Sequence, residues 1–161
     1  MQMTIDDVDR QLLAALQEDA GQPYAALGEV AGLSAGSAHE RVRKLKAAGV
    51  IRRTTIDVDP AALGYGVLAF VLLEANAWMG DSREALLDVP AVEEAHIIAG
   101  PASVLVKVRT TTTEDLQATL RALHEVAGVT STQTVVVLES LFERDYPIGR
   151  PDSSASSAKK A

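Results

Sequence analysis

The chain has 161 residues, of which 47% are hydrophobic and 23% are charged, the composition of an ordinary globular protein. It contains no cysteine, which excludes disulfide frameworks, thiol nucleophiles and thiolate metal sites. A net charge of −7 argues, taken alone, against nucleic acid as a partner, because phosphate contacts depend on lysine and arginine. No apolar segment has the length of a membrane span or the character of a signal peptide, so we expect a cytoplasmic protein with no membrane partner.

The first sixty residues predict three helices. Asp6 suits the N-cap of the first helix, and Pro23 suits the first position of the second. Gly32 supplies the positive φ that a tight turn between helices requires, and Ser34 then caps a third helix. Two short helices, a glycine turn and a third helix are typical of a helix-turn-helix.

Positive charge is concentrated in and just after the third helix. Residues 34–56 contain six basic residues and one acid, a local charge of +5 in a chain of the opposite sign. A solvated helix face is the plain alternative, but the preceding turn favours DNA. We expect Ser34, Ser37 and Glu40 to read base edges and the basic side chains to contact phosphates. The predicted DNA contacts are Ser34, Ser37, His39, Glu40, Arg41, Arg43, Lys44, Arg52 and Arg53, of which His39 is equally well explained as an exposed bystander.

The β-branched segment 50–58 predicts either a short wing hairpin or a connecting strand. Asp59 and Pro60 end that pattern, and a glycine-containing stretch follows. The predicted organisation is a helix-turn-helix domain at 1–59, a hinge at 60–66, a second domain at 67–147 and a disordered tail at 148–161.

The second domain predicts four strands and two helices in the order βαββαβ, the ferredoxin-like split arrangement of an α+β protein. Its helices would cover one face of the sheet. The other face carries enough valine, leucine and phenylalanine that we expect it to be buried against a second subunit. The predicted strands are 67–73, 92–99, 104–110 and 129–138, with helices at 81–88 and from 113 to a stop at Gly128.

Several short motifs, taken together, resemble the Lrp/AsnC (feast/famine) transcription regulators over about residues 4–146. They are Gly-Leu-Ser at 32–34, Arg-Val-Arg-Lys-Leu at 41–45, Gly-Val-Ile at 49–51, Asp-Pro at 59–60 with Leu-Gly at 63–64, and Val-Glu-Glu-Ala-His at 92–96. The resemblance implies a winged helix-turn-helix that binds double-stranded DNA sequence-specifically and a RAM/ACT-like domain that dimerises through its sheet. It further implies homodimers that assemble into tetramers or octamers, with an amino-acid-like effector bound between dimers and no enzymatic activity.

The turn after the second strand departs from the family pattern. There the family usually reads Gly-Asp-x-Asp, whereas this chain has Gly100, Pro101, Ala102 and Ser103. Because both carboxylates are missing, this turn cannot form a charge-assisted bond to an α-ammonium group. A different effector class, an amino acid held by other groups, and no effector remain open. The candidate effector residues are Gly100, Pro101, Ala102, Ser103, Thr132 and Thr134.

Two other functions remain to be weighed. The missing carboxylates keep open an architectural DNA-binding protein that needs no effector. Some proteins that resemble this family decarboxylate a haem-like tetrapyrrole with histidines on the same scaffold, but such an enzyme has no need of a basic third helix. No trio of histidine and carboxylate residues has metal-ligand spacing, and no catalytic triad or phosphate-binding loop is present, so we expect no metal, no cofactor and no catalytic site.

Overall fold

A computed structural model describes residues 4–149, and contacts within the chain divide them into two units. The first contains residues 4–57 together with 144–149, and the second is Val58–Glu143. The predicted disordered tail lies outside the described residues from position 150 onward. The domain limits given above stay predictions.

The first unit contains three helices: α1 Asp7–Glu18, α2 Tyr24–Ala31 and α3 Ala35–Ala47. Asp6 caps α1 in a capping box with Asp9, in which each side chain accepts a hydrogen bond from the other residue's backbone N–H at 2.7 and 3.2 Å. Pro23 is the N-cap of α2 rather than its first residue. The unit's core lies between the helices, where Leu12 and Leu27 are almost completely buried.

The turn between α2 and α3 follows the sequence prediction. Gly32 has φ +66° in the left-handed region, and the Ser34 hydroxyl accepts a hydrogen bond from the backbone N–H of Ser37. Helix α3 buries Ala38, Val42 and Leu45, so its opposite face is exposed. The predicted helix-turn-helix is confirmed.

Neither the wing hairpin nor the connecting strand predicted at 50–58 forms. Backbone in that stretch is irregular, and Ile56 and Val58 are exposed. A β-branched segment becomes a strand only when another strand supplies its hydrogen-bond partners, and the described residues supply none here.

The second unit contains four strands and two helices: β1 Val67–Ala75, α4 Arg83–Leu87, β2 Val92–Ile97, β3 Val104–Thr110, α5 Thr113–His124 and β4 Val129–Val136. The strands form one antiparallel sheet in the order β2-β3-β1-β4, which confirms the predicted α+β class. The short helix predicted at 81–88 divides into a 3-10 turn, Met79–Ser82, and the single α-helical turn of α4.

The two faces of this sheet differ. Val71 and Leu73 of β1 alternate toward the helices and are completely buried with Leu123 of α5. Phe70 and Leu72, which lie between them in sequence, therefore project to the opposite face and are only half-buried. Among the described residues, no helix has the length and apolar character needed to cross a membrane.

Candidate nucleic-acid interface

The N-terminal turn of α3 carries only short side chains. The Ser34 hydroxyl lies 2.9 Å from that of Ser37 and holds it against the helix end. A Cβ added at Gly36 would meet nothing within 4 Å, so the fold itself does not require glycine there. Glycine in a helix costs roughly 0.5–1 kcal/mol relative to alanine, and the space around Gly36 offers no steric reason for that cost.

One turn further along, Glu40 and Arg43 form a two-point ion pair on the exposed face. Arg43 donates from Nε to Glu40 Oε2 and from Nη2 to Oε1, both at 2.8 Å, and Lys44 Nζ lies 3.8 Å from Oε1. The hydrogen bonds from Arg43 lower the pKa of Glu40 to about 2, so its carboxylate is ionised at physiological pH. This face therefore presents a carboxylate acceptor and a guanidinium donor that hold each other in place.

Arg41 has different partners. Its Nη1 donates to Asp6 Oδ2 and Asp9 Oδ1, each at 2.8 Å, and the Asp9 side chain is only 3% exposed. The hydrogen bonds with Asp6 and Asp9 raise the pKa of Arg41. The pKa of Asp6 is lowered by the hydrogen bond from the Asp9 backbone and then by Arg41. Arg41 thus joins α3 to the capped end of α1, and its contact with phosphate stays a prediction.

The other predicted contacts are exposed. The ring of His39 packs edge-on against Tyr24, with ring centroids 4.7 Å apart and an interplanar angle of 88°, so it links α3 to α2. Arg52 and Arg53 lie on the irregular stretch after α3 and form no ion pair within residues 4–149. Their freedom makes them available to a polyanion.

The six candidate effector residues come from two places in the second unit, the turn at 100–103 and strand β4. The turn at 100–103 is fixed to the sheet by the Ser103 N–H, which donates to the Leu73 carbonyl at 2.9 Å. Thr132 pairs with Leu73 from the other side of β1, and Thr134 pairs with Val71. Both threonines therefore face the helix-covered side of β4, about two strand spacings, or ~10 Å, from β3.

Sequence reasoning missed a depression of about 280 Å³ between the edge strand β2 and helix α4. Met79, Leu86 and Val104 give it an apolar floor, and exposed Arg83 lies at its rim. No sequence signal marked it, because its walls come from segments brought together only by folding.

A ladder of charges on the open sheet face was also missed. Arg109 Nε lies 2.7 Å from Glu93, Lys107 Nζ lies 3.4 Å from Glu93 and 3.3 Å from Glu94, and His96 Nε2 lies 3.2 Å from Glu94. A register shift between Val92 and Glu94 places both glutamates opposite Lys107. Hydrogen bonds from His96 and then Lys107 lower the pKa of Glu94.

Metal binding has no support in the described part of the chain, where no group of three histidine or carboxylate side chains is arranged to hold an ion.

Comparison with known proteins places this geometry in context. The AsnC-type helix-turn-helix domain matches residues 5–46, and the Lrp/AsnC ligand binding domain matches residues 67–147. The HTH-type transcriptional regulator FL11 of Pyrococcus abyssi is 33% identical over 141 residues, 87% of this chain and 93% of that protein.

Two solved structures share the fold. That of AsnC from Escherichia coli has a TM-score of 0.80 at 33% identity, over 90% of this chain and 99% of that one. A feast or famine regulatory protein from M. tuberculosis, complexed with L-methionine, has a TM-score of 0.82 at 27% identity, over 89% and 99%.

Proposed function

Because the chain belongs to the Lrp/AsnC family of transcriptional regulators, we propose that it seats the N-terminal turn of α3 in the major groove of double-stranded DNA. Ser34, Ser37 and Glu40 then face base edges, where the small side chains around Gly36 allow the backbone to come close. This bare, exposed turn is the observation that carries the proposal.

The phosphate contacts fall to Arg43, Lys44, Arg52 and Arg53, all exposed. His39 lies at the edge of this surface. Arg41 is left out of the proposed contact set because its Nη1 group holds α3 to α1 through Asp6 and the buried Asp9. Arg43, by contrast, pairs with exposed Glu40 on its own helix. Since phosphate contacts position a protein without reading sequence, Lys44, Arg52 and Arg53 should affect affinity for all DNA alike.

The test is a fluorescence-anisotropy titration with DNA from upstream of the protein's own gene, at several salt concentrations. Each phosphate contact contributes about 0.9 to the slope of log affinity against log salt. Arg43→Ala is expected to weaken binding and to reduce the slope by about one. Arg121→Ala, which removes an exposed arginine from α5 of the other unit, is the matched control and should change neither. Equal effects of both variants would refute the assignment.

We propose a homodimer formed through the open sheet face, in which half-buried Phe70 and Leu72 meet a second copy. Assembly of dimers into tetramers or octamers would follow from further contacts. Phe70→Asp is expected to produce monomers in sedimentation velocity, and an unchanged sedimentation coefficient would refute this face as the interface.

An amino-acid-like effector between dimers is the favoured ligand, by analogy with the L-methionine complex of the M. tuberculosis protein. With no carboxylate at 100–103, its ammonium group must be held by other residues. Adding L-methionine and a panel of other amino acids to the DNA titration tests this. A change in affinity or cooperativity with one of them supports a sensor, and no change with any supports an architectural role.

We place the protein in the cytoplasm and assign it no enzymatic activity or cofactor, because its relatives are named transcriptional regulators. Titration with an iron tetrapyrrole should leave the Soret band of the free compound unshifted, and a shift would revive the decarboxylase alternative.

A further inference from the structure

We propose that Glu40 reads a cytosine in the operator and that Arg43 holds its carboxylate in the reading position. The inference rests on the proposed DNA binding and adds the base that α3 selects. Glu40 lies three residues after Ser37 on the same exposed face of α3, directly beyond the turn of small side chains. Apart from His39, whose ring packs against Tyr24, it is the first long side chain after that turn.

The ion pair leaves both partners able to bind further groups. Each Glu40 oxygen accepts one hydrogen bond from Arg43, and a carboxylate offers about four acceptor positions. Arg43 uses two of its five N–H donors, which leaves three. The side chains remain 47% and 60% exposed, so neither is closed off by the fold.

The free acceptor positions of Glu40 match a cytosine in the major groove, which presents an N4 amino donor there. Glu40 accepts from N4, while the remaining N–H groups of Arg43 donate to the phosphate assigned to it above. A free glutamate would search several rotamers, whereas the two-point bond to Arg43 fixes the plane of the carboxylate before DNA arrives.

The charge of Glu40 also needs an explanation. It is the single acid among residues 34–56 and lies on the side of α3 that faces a polyanion in the proposed complex. Since it stays ionised, it repels phosphate and lowers affinity for DNA in general. Such a residue can still increase specificity if its contact with one base recovers the lost affinity, because specificity is a difference between the affinities for two sequences.

The experiment is selection of binding sites from a randomised duplex library, followed by anisotropy titrations on single-base variants of the selected site. The full-length wild-type protein is expected to prefer C over the other bases at one position per half-site by about 5- to 150-fold. Glu40→Gln should move that preference from C to A, since glutamine pairs with adenine N6 and N7. Glu29→Gln, which removes an exposed carboxylate from α2 with the same change of charge, is the control and should leave the preference unchanged.

A second variant isolates the role of Arg43. Arg43→Lys keeps the positive charge but cannot form the two-point bond, so the preference for C should shrink while the salt slope stays the same. Uniformly tighter binding of Glu40→Gln to all sequences, with no change of base preference, would overturn the inference and leave DNA binding intact. Failure of the wild-type protein to bind any duplex would instead overturn the proposed function together with it.

Discussion

Arg41 and Arg43 are two residues apart on α3, yet their substitutions should have opposite consequences. Arg41→Ala removes two 2.8 Å hydrogen bonds to Asp6 and Asp9. Asp9 then keeps a buried carboxylate whose remaining partner is the Asp6 backbone N–H at 3.2 Å. Leaving a buried acceptor short of partners costs about 1–3 kcal/mol. Because the Arg41 side chain is 35% exposed and solvent screens the pair, we expect the lower half of that range, roughly 1–2 kcal/mol.

Thermal unfolding followed by circular dichroism measures this loss. Each kcal/mol lowers the melting temperature by roughly 2–8 °C, depending on whether the two units unfold together. Arg43→Ala is the matched variant, since it removes an arginine whose partner is the exposed Glu40, and it should melt like the wild type. In the DNA titration the order reverses: Arg43→Ala loses affinity and salt slope, while Arg41→Ala retains the slope at temperatures where it is folded. An Arg41→Ala protein with wild-type melting and a reduced salt slope would refute the reasoning.

Three further predictions concern stability and acid sensitivity. Gly28→Ala should destabilise the first unit, because the new Cβ would lie 2.6 Å from the Leu33 backbone oxygen; unchanged urea denaturation would contradict this. Gly36→Ala has open space around its new methyl group, so it should stabilise the protein by about 0.5–1 kcal/mol in the same assay. It should nevertheless weaken operator binding, and unimpaired binding would mean that DNA does not approach this turn. For Glu94, the pKa in the folded protein lies below its ordinary value of 4.5. Its ion pairs therefore contribute fully to the stability of the fold above pH 4.5, and that contribution is lost as the pH falls through the lowered pKa of the folded state. Melting temperatures at pH 7, 5 and 3 should show that decline, and Glu94→Gln should make it shallower; an equally steep decline in the variant would assign it to other groups.

The elements of both units were predictable because their signals are local. Gly32 and Ser34 specify a turn and a cap through their own backbone and hydroxyl, and the burial of Ala38, Val42 and Leu45 follows from spacing along one helix. The order of strands and helices in the second unit was equally readable from apolar runs and breaks. The stretch at 50–58 was not, because a strand exists only with a neighbour, and its β-branched composition contains no information about one.

The sequence by itself determined the helix-turn-helix, the βαββαβ order and the concentration of positive charge around α3. Only the tertiary structure decided which charged side chains are free, since a side chain's partner depends on what folding places across from it. Arg41 donates to Asp9 at the capped end of α1, thirty-two residues earlier in the sequence. Arg43 donates to Glu40 on its own helix. From their positions on α3, both arginines were predicted to contact phosphate. The packing of α1 against α3 gives Arg41 a structural partner that Arg43 does not have.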